Sequence, residues 1–384
     1  MDKFPARPKW ILYLFIISLS VMIAGSAIFG IVIQKKATAA NLAFPGQMAN
    51  TLRGTFGVEF VEWLQKKLYV FHDVRRRFVI SMFGEKIHTR TINRTEIIRV
   101  EHTDLSGAPV NIQPFLSIDP LPGEGKWTHE GLPKINNKPV IYQTILRVDP
   151  KRPYSTLEVA SIDISKIRFH LVAGSAYRGI KNQKGTGFIH YLHRPILIAA
   201  MNGGFLPVHK TGGMIINGKV FLPMEAGKAT FIMYKNDTVK MVVWNREMMN
   251  DLPDIRHARQ NLEILLSEGK FNKKARYWGI VKPGEDAVYN WRSGIGLTRD
   301  RKRLIFIAGN ATSPQMLARA FVLAGCDIAM HMDMNISNIA FSHFRHRDGD
   351  IQPIGLSQRF WQHMIDAYLK GYTHDFIYMT KREE

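Results

Sequence analysis

The chain has 384 residues, with 46% hydrophobic and 22% charged side chains, a composition that excludes a disordered or collagen-like polymer. Its formal net charge is +20, which calls for an anionic partner. The single cysteine, Cys326, excludes an internal disulfide framework and a cysteine-rich zinc site.

Residues 1–10 form a short basic tail with Lys3, Arg7 and Lys9. Residues 11–33 carry no charge, and a helix of about 20 apolar residues suffices to cross a bilayer. A cleavable signal has an apolar region of only about 7 to 15 residues. Ala37-Thr38-Ala39 imitates a cleavage site, but the longer run reads as an uncleaved anchor. The basic tail assigns the N-terminus to the cytoplasm and the main domain to the outside of the cytoplasmic (inner) membrane, as a single-pass protein. Residues 34–105 read as a membrane-proximal helical segment with basic clusters at Lys66-Lys67 and Arg75-Arg76-Arg77. Two readings stay open for it: an amphipathic helix on anionic headgroups, or a helical hairpin packed on the main domain. Residues 106–135, rich in Pro and Gly, read as an extended connector. Within it, Glu124 and Trp127 could instead reach back toward a site.

From 136 to 384 strands dominate, and the expected fold class is α+β: a mixed, strand-rich core with a few helices. Val140–Val148, Ser155–Ile162 and Ile167–Val172 have the apolar and β-branched pattern of strands. The run Pro195-Ile-Leu-Ile-Ala-Ala-Met201 is a strand ending in Asn202, Gly203 and Gly204. Two glycines there can bring bare N–H groups close to an anion. Val220–Trp244 reads as hairpins with a turn at Lys235-Asn-Asp-Thr238, and Leu262–Gly269 as a short helix or a strand. Arg292-Ser-Gly-Ile-Gly296 places an arginine on a Gly-containing lead into the strand Arg303–Gly309; a guanidinium fork matches a phosphate diester. Ser313 fits an N-cap, Pro314 the first helical position and Gly325 the left-handed stop of a helix. Cys326–Asn335 is a buried strand delivering Asp333 and Asn335 at its far end. Ser357–Gly371 has a cap, an apolar face and a glycine stop, and predicts one helix.

Other chemistries find no support in the pattern. There is no Walker loop, nucleophile elbow or dinucleotide fingerprint, and no cofactor is implied. His331, His343 and His346 lie close in sequence without a zinc spacing, so no metal site is expected. The positive charge is spread along the chain with no nucleic-acid motif; an anionic lipid surface or phosphate-bearing envelope polymer fits it better than nucleic acid.

Taken in order, Ala199–Phe205, Gly212-Gly-Met-Ile-Ile-Asn-Gly-Lys219, Arg292–Gly296 and Cys326–Asn335 resemble the phosphodiester glycosidase domain. This is the family of the enzyme that removes N-acetylglucosamine from a sugar-1-phosphate diester. The resemblance runs from about Pro139 to Phe344. Where well-studied members end the last strand in Leu-Asp-Gly-Gly-Gly-Ser, this chain has Met332-Asp-Met-Asn-Ile-Ser337. Arg259-Gln-Asn-Leu262 and Gly123-Glu-Gly-Lys-Trp127 look closer to a bacterial, exopolysaccharide-related subgroup. The resemblance implies cleavage of a sugar C1–O bond with a phosphate ester leaving. Asp333 is then the catalytic carboxylate and Glu225 a second acid. Arg292 with Ser293 would hold the phosphate, Asn202 with the Gly203 and Gly204 amides would complete the cradle, and Asn335 would hold a sugar hydroxyl. The competing class is a catalytically inactive, membrane-tethered binding or assembly factor with the same fold, suggested by the missing glycine loop after Asp333.

Overall fold

The computed structural model describes residues 73–74, 77–78, 89, 104, 107–209, 211–277, 289–334, 336–360 and 362–382. The chain divides into two compact units, Met1–Gln65 and Lys66–Glu384, and every described residue belongs to the second. The tail, the span at 11–33 and most of the membrane-proximal segment therefore lie outside the described residues, as does Asn335. Among the described residues no helix is long and apolar enough to cross a membrane. One contact of the 34–105 segment is visible. Asp73 receives the Arg152 guanidinium at two points, Nε–Oδ1 and Nη2–Oδ2, both 2.6 Å, so at this residue the segment is docked on the main domain.

The domain is strand-rich with few helices. A seven-stranded sheet runs from β13 (Lys270–Phe271) through β12 (Ile264–Ser267), β16 (Cys326–Met334), β14 (Asn290–Thr298), β15 (Arg303–Thr312) and β4 (Leu157–Asp163) to β3 (Ile141–Leu146). A five-stranded sheet has the order β18 (Asp350–Gly355), β17 (Phe341–Arg347), β6 (Leu197–Asn202), β19 (Phe376–Lys381), β5 (Ile167–Val172). A second five-stranded sheet has β10 (Val239–Val243), β9 (Ala229–Tyr234), β11 (Ile255–Gln260), β7 (Met214–Ile216) and β8 (Lys219–Leu222). A short hairpin pairs β1 (Lys134–Ile135) with β2 (Lys138–Pro139). The ladders between these strands are antiparallel. Short returns suffice to link neighbouring antiparallel strands, and the sequence between them is turn-rich.

Period-two alternation builds the layers. On β14 and β15, Ile295, Leu297, Leu304, Phe306 and Ala308 join Phe169, Met201, Phe341, Ile377 and Met379 of the first five-stranded sheet, together with Phe231 and Met233 of the second, in one buried core. The opposite face of the large sheet carries α1 (Pro314–Leu323), whose Leu317, Ala320 and Phe321 pack with Ile305, Ile307 and Ala329. Gly294 and Gly296 make this helix contact possible. A Cβ on Gly294 would come within 2.8 Å of the Met330 carbonyl, and one on Gly296 within 2.9 Å of Phe321 and Cys326. The α1 signals are as the sequence predicts: Ser313 Oγ accepts from Met316 N–H, Pro314 is at the helix start, and Gly325 has φ +84°.

Other expectations change. Residues 290–298 are themselves a nine-residue strand, so Arg292 sits near the start of a central strand and not on a lead-in. The 262–269 segment holds a short strand, Ile264–Ser267. The helix expected over 357–371 is two single turns, α2 (Gln362–Ile365) and α3 (Ala367–Lys370). Their Met364 and Tyr368 cover the outer face of the β17–β6–β19 sheet. The connector is not a free spacer: Glu124 is buried, accepts from Arg147 Nε at 2.9 Å and from Arg147 N–H at 3.2 Å, and bridges β3 at Ile145. Trp127 Nε1 donates to the Val110 carbonyl at 3.0 Å. Both residues fasten the connector.

Candidate functional site

The ends of β6, β11, β14, β16 and β19 meet in a buried polar cluster. β6 ends in Asn202, whose register partner on β19 is Phe376; β14 carries Arg292 and Ser293, and β16 ends beside Asp333. Asn202 Nδ2 donates to Ser293 Oγ at 2.9 Å, and Ser293 Oγ donates to the Asp333 carbonyl at 2.8 Å. This chain joins the two sandwiched sheets through three of the residues named from sequence. Asn202 Oδ1 is buried without a hydrogen-bond partner among the described residues, a costly state for an amide oxygen.

Arg292 is 1% exposed, on the next position of β14, and its Nε donates to the Thr312 carbonyl at 3.1 Å. Burial lowers its pKa to about 10, so the guanidinium stays charged at neutral pH. Its charge is felt by His331. Burial, reinforced by Arg292, drives that imidazole down to about 3, leaving a neutral ring whose Nε2 is also without a partner. Asp333 has the opposite problem. Burial pushes its carboxyl well above the usual carboxylate range, the negative charge of Asp375 adds to this, and the Met334 N–H donating to Oδ1 at 2.7 Å only partly opposes it. Burial therefore favours the protonated form of this carboxyl over the carboxylate expected from the sequence.

Two residues with no role assigned from sequence stand at the centre. Arg259 and Asp375 form a fully buried ion pair, Nε–Oδ2 2.8 Å and Nη2–Oδ1 3.1 Å. Burial works against the guanidinium charge, but Asp375 and Tyr177 more than offset it and hold the Arg259 pKa above its ordinary value. Tyr177 Oη lies against Asp375 Oδ1, and Arg259 Nη2 also donates to the Phe205 carbonyl at 2.7 Å. The Gly203 N–H donates to the Asp375 carbonyl at 2.9 Å and the Gly204 N–H to Asp375 Oδ2 at 3.2 Å. The two amides are therefore not an open nest here: Gly203 N–H is taken by the Asp375 main-chain carbonyl and Gly204 N–H by its carboxylate. The glycines answer a packing demand, because a Cβ on Gly203 would fall 2.1 Å from Asp375 Oδ2 and one on Gly204 2.9 Å from Arg259 Nη2.

The neighbours of Arg259 clamp the surrounding loops. Gln260 Oε1 accepts from Gly213 and Glu225 N–H, both 2.8 Å, while its Nε2 donates to the Glu225 carbonyl at 2.9 Å. Asn261 Nδ2 donates to the His331 and Met332 carbonyls at 3.0 and 3.1 Å, tying β11 to the end of β16. Glu225 itself is exposed; only its main chain is joined to the cluster, so the second acid is not packed beside Asp333 as the first is packed beside Ser293. Among the described residues no group of His, Cys, Asp or Glu is arranged to hold a metal ion.

The geometry defines a strand-end polar site in an antiparallel sandwich, containing a buried arginine, a buried carboxyl and an amide with one oxygen unmet. Residues 196–333 match the family model described as phosphodiester glycosidase. That stretch contains Asn202, Gly203, Gly204, Glu225, Arg259, Arg292, Ser293 and Asp333, and leaves Tyr177 and Asp375 outside. Among solved structures, the catalytic domain of zebrafish N-acetylglucosamine-1-phosphodiester alpha-N-acetylglucosaminidase, auto-inhibited by its pro-peptide, is 12% identical, covers 77% of this chain and 95% of its own, and has a TM-score of 0.44. A hypothetical protein from Synechocystis is 11% identical over 72% of this chain and 69% of its own, with a TM-score of 0.39. The search of curated proteins gives no match.

Proposed function

We propose that this chain is a glycosidase that cleaves the C1–O bond of a sugar-1-phosphodiester. The family match supports a phosphodiester glycosidase at the coarse level, and the observation that carries the reading is the Asn202–Ser293–Asp333 hydrogen-bond chain, with buried Arg292 preceding Ser293 on β14. The departing phosphate is an anion that needs its charge held more than it needs strong acid catalysis. Arg292 supplies a charge fixed in orientation by the Thr312 carbonyl. Asp333, whose carboxyl is made a weaker acid by burial, donates a proton to the bridging oxygen as the C1–O bond breaks and the phosphate ester leaves; water then adds to C1 and gives up its proton to the Asp333 carboxylate. Asn202 positions Ser293 and offers its unmet Oδ1 to a sugar hydroxyl. Asn335 is a second hydroxyl ligand and Glu225 a second acid reached from the 223–227 loop.

The substrate we propose is a phosphate-containing glycan or glycolipid of the cell envelope, in exopolysaccharide or glycopolymer metabolism. The chain is anchored by residues 11–33 in the inner membrane, with the domain extracytoplasmic and near an anionic lipid surface. A cytoplasm-only reporter fused after Glu384 should stay silent; a bright signal contradicts the orientation. Incubating the full-length chain in detergent with synthetic sugar-1-phosphodiesters should release free sugar, and Asp333→Asn should abolish the release while leaving the fold intact.

One observation favours the inactive assembly factor: the Gly203 and Gly204 amides are occupied by Asp375. Binding of a sugar-1-phosphodiester without any turnover, across a panel of sugars, would select that reading.

A further inference from the structure

At the opposite end of β15 a second cleft opens, of about 560 Å³, lined by Asp163, Asp237, Lys302, Arg303 and Arg382 among others. Its floor is Arg303, 2% exposed, the first residue of β15 and the register partner of Asp163. This guanidinium is unusually placed for a buried cation. Nη1 donates to Ser161 Oγ at 3.4 Å and Nη2 to the Gly107 carbonyl, the Tyr142 ring centroid lies 5.0 Å away, and Nε has no hydrogen-bond partner. No carboxylate among the described residues is within ion-pairing distance of it, although Asp163 and Asp300 act on it from farther away. A buried cation without a paired anion is costly, so an anion bound beside it would be stabilised.

The rim repeats the sign. Lys302 is exposed and in no ion pair among the described residues; Arg382 lies 3.6 Å from Asp237. That aspartate is already shared with Arg168 at 3.0 Å and Arg256 at 2.6 Å. Asp237 therefore does not neutralise the cleft. Asp163 accepts through Oδ1 from Ser165 N–H and Oγ, which leaves the rest of its carboxylate as an acceptor for hydroxyl groups. A cleft within the roughly 300–1,000 Å³ range of small-molecule sites is larger than a lone anion needs.

We propose that this cleft is a second binding site, for a phosphate ester of a polyhydroxylated group, with Arg303 as its anchor and Arg382 and Lys302 as its rim. It is separate from the Arg292 site. Arg303 is six positions along β15 from Gly309, the register partner of Arg292, or roughly 20 Å at about 3.4 Å per residue. The same chemistry is offered by a soluble sugar phosphate and by a phosphatidylglycerol headgroup. The test is calorimetric titration of the full-length chain in detergent with glucose 1-phosphate and with glucose, and flotation with phosphatidylcholine vesicles with and without phosphatidylglycerol. Wild type should bind glucose 1-phosphate or the phosphatidylglycerol vesicles, and not glucose. Arg303→Gln should weaken that binding at least tenfold, and Arg292→Lys should leave this second binding event in place. If Arg303→Gln does not fold, Lys302→Gln with Arg382→Gln, both off the core, should give a several-fold loss. Loss confined to the vesicles assigns the headgroup; loss confined to the sugar phosphate assigns the soluble ester. Unchanged affinity in the folded variants, equal binding of glucose, or no binding of either probe by wild type overturns the site.

Discussion

Arg259 and Asp375, 116 residues apart in the chain, meet as a two-point ion pair with almost no solvent exposure on either side chain. The pair joins β11 to the residue before β19, and through the Gly203 and Gly204 amides it fixes the turn after β6 that presents Asn202. Removing one partner of a buried pair leaves the other charge stranded, at a cost of about 3–5 kcal/mol. Asp375→Asn should therefore lower stability by that amount in chemical denaturation. The double variant Arg259→Met with Asp375→Leu should lose clearly less than the two single losses combined, because each single loss contains the same stranded charge. Strict additivity would mean the two residues act independently.

Asp333 links stability to activity. Its folded-state pKa lies above the unfolded value of about 3.9, so its contribution to stability is complete below pH of about 4 and is lost as pH rises through the folded value. Asp333→Asn cannot ionise and should be more heat-stable than wild type at alkaline pH and nearly equal to it at acid pH. Stabilisation with loss of activity is the usual sign of a strained functional group. A variant less stable than wild type at every pH would make Asp333 a packing residue.

A second group of buried ionisable residues sets the acid limit. Burial lowers His170 to about 2 and His257 to about 3, with nearby histidines and Arg256 adding to it. The His170 ring stacks on Tyr378 at 4.5 Å and bonds Thr380 at 3.0 Å. Both folded values lie below the unfolded value of about 6.5, so stability is present above that pH and falls as pH drops toward the folded values. Each such histidine steepens the decline by up to about 1.4 kcal/mol per pH unit. His170→Phe keeps a ring on Tyr378, loses the Thr380 bond, and should flatten the fall in melting temperature between neutral pH and mildly acid pH. An unchanged slope removes His170 from the acid response.

The sequence was most legible where local chemistry is decisive. The α1 boundaries follow from Ser313, Pro314 and Gly325, and strand Leu197–Asn202 from its apolar run, because capping and periodicity are local properties. Asn202, Ser293 and Asp333 come from separate motifs, and the fold bonds them. What was misread was decided by packing between distant segments. Gly203 and Gly204 look like ligand-approach glycines, but Gly203 makes room for Asp375 and Gly204 for Arg259 and Asn261. Asp375 has no local signal: Thr373-His-Asp-Phe is an ordinary lead into a strand, and only its long-range pairing with Arg259 gives it meaning. The 357–371 segment folds as two single turns, whose Met364 and Tyr368 join one buried cluster on the sheet.

Which bond breaks can be read from the position of one oxygen atom. A sugar-1-phosphodiester is hydrolysed by the full-length chain in ¹⁸O-labelled water, and the free sugar and phosphate ester are weighed separately by mass spectrometry. Attack at C1, with Asp333 and Arg292 in the roles given above, places the label in the sugar and none in the phosphate, with Asp333→Asn inactive and Arg292→Lys raising KM. Label in the phosphate ester would mean P–O cleavage, and the glycosidase assignment of this site would be wrong.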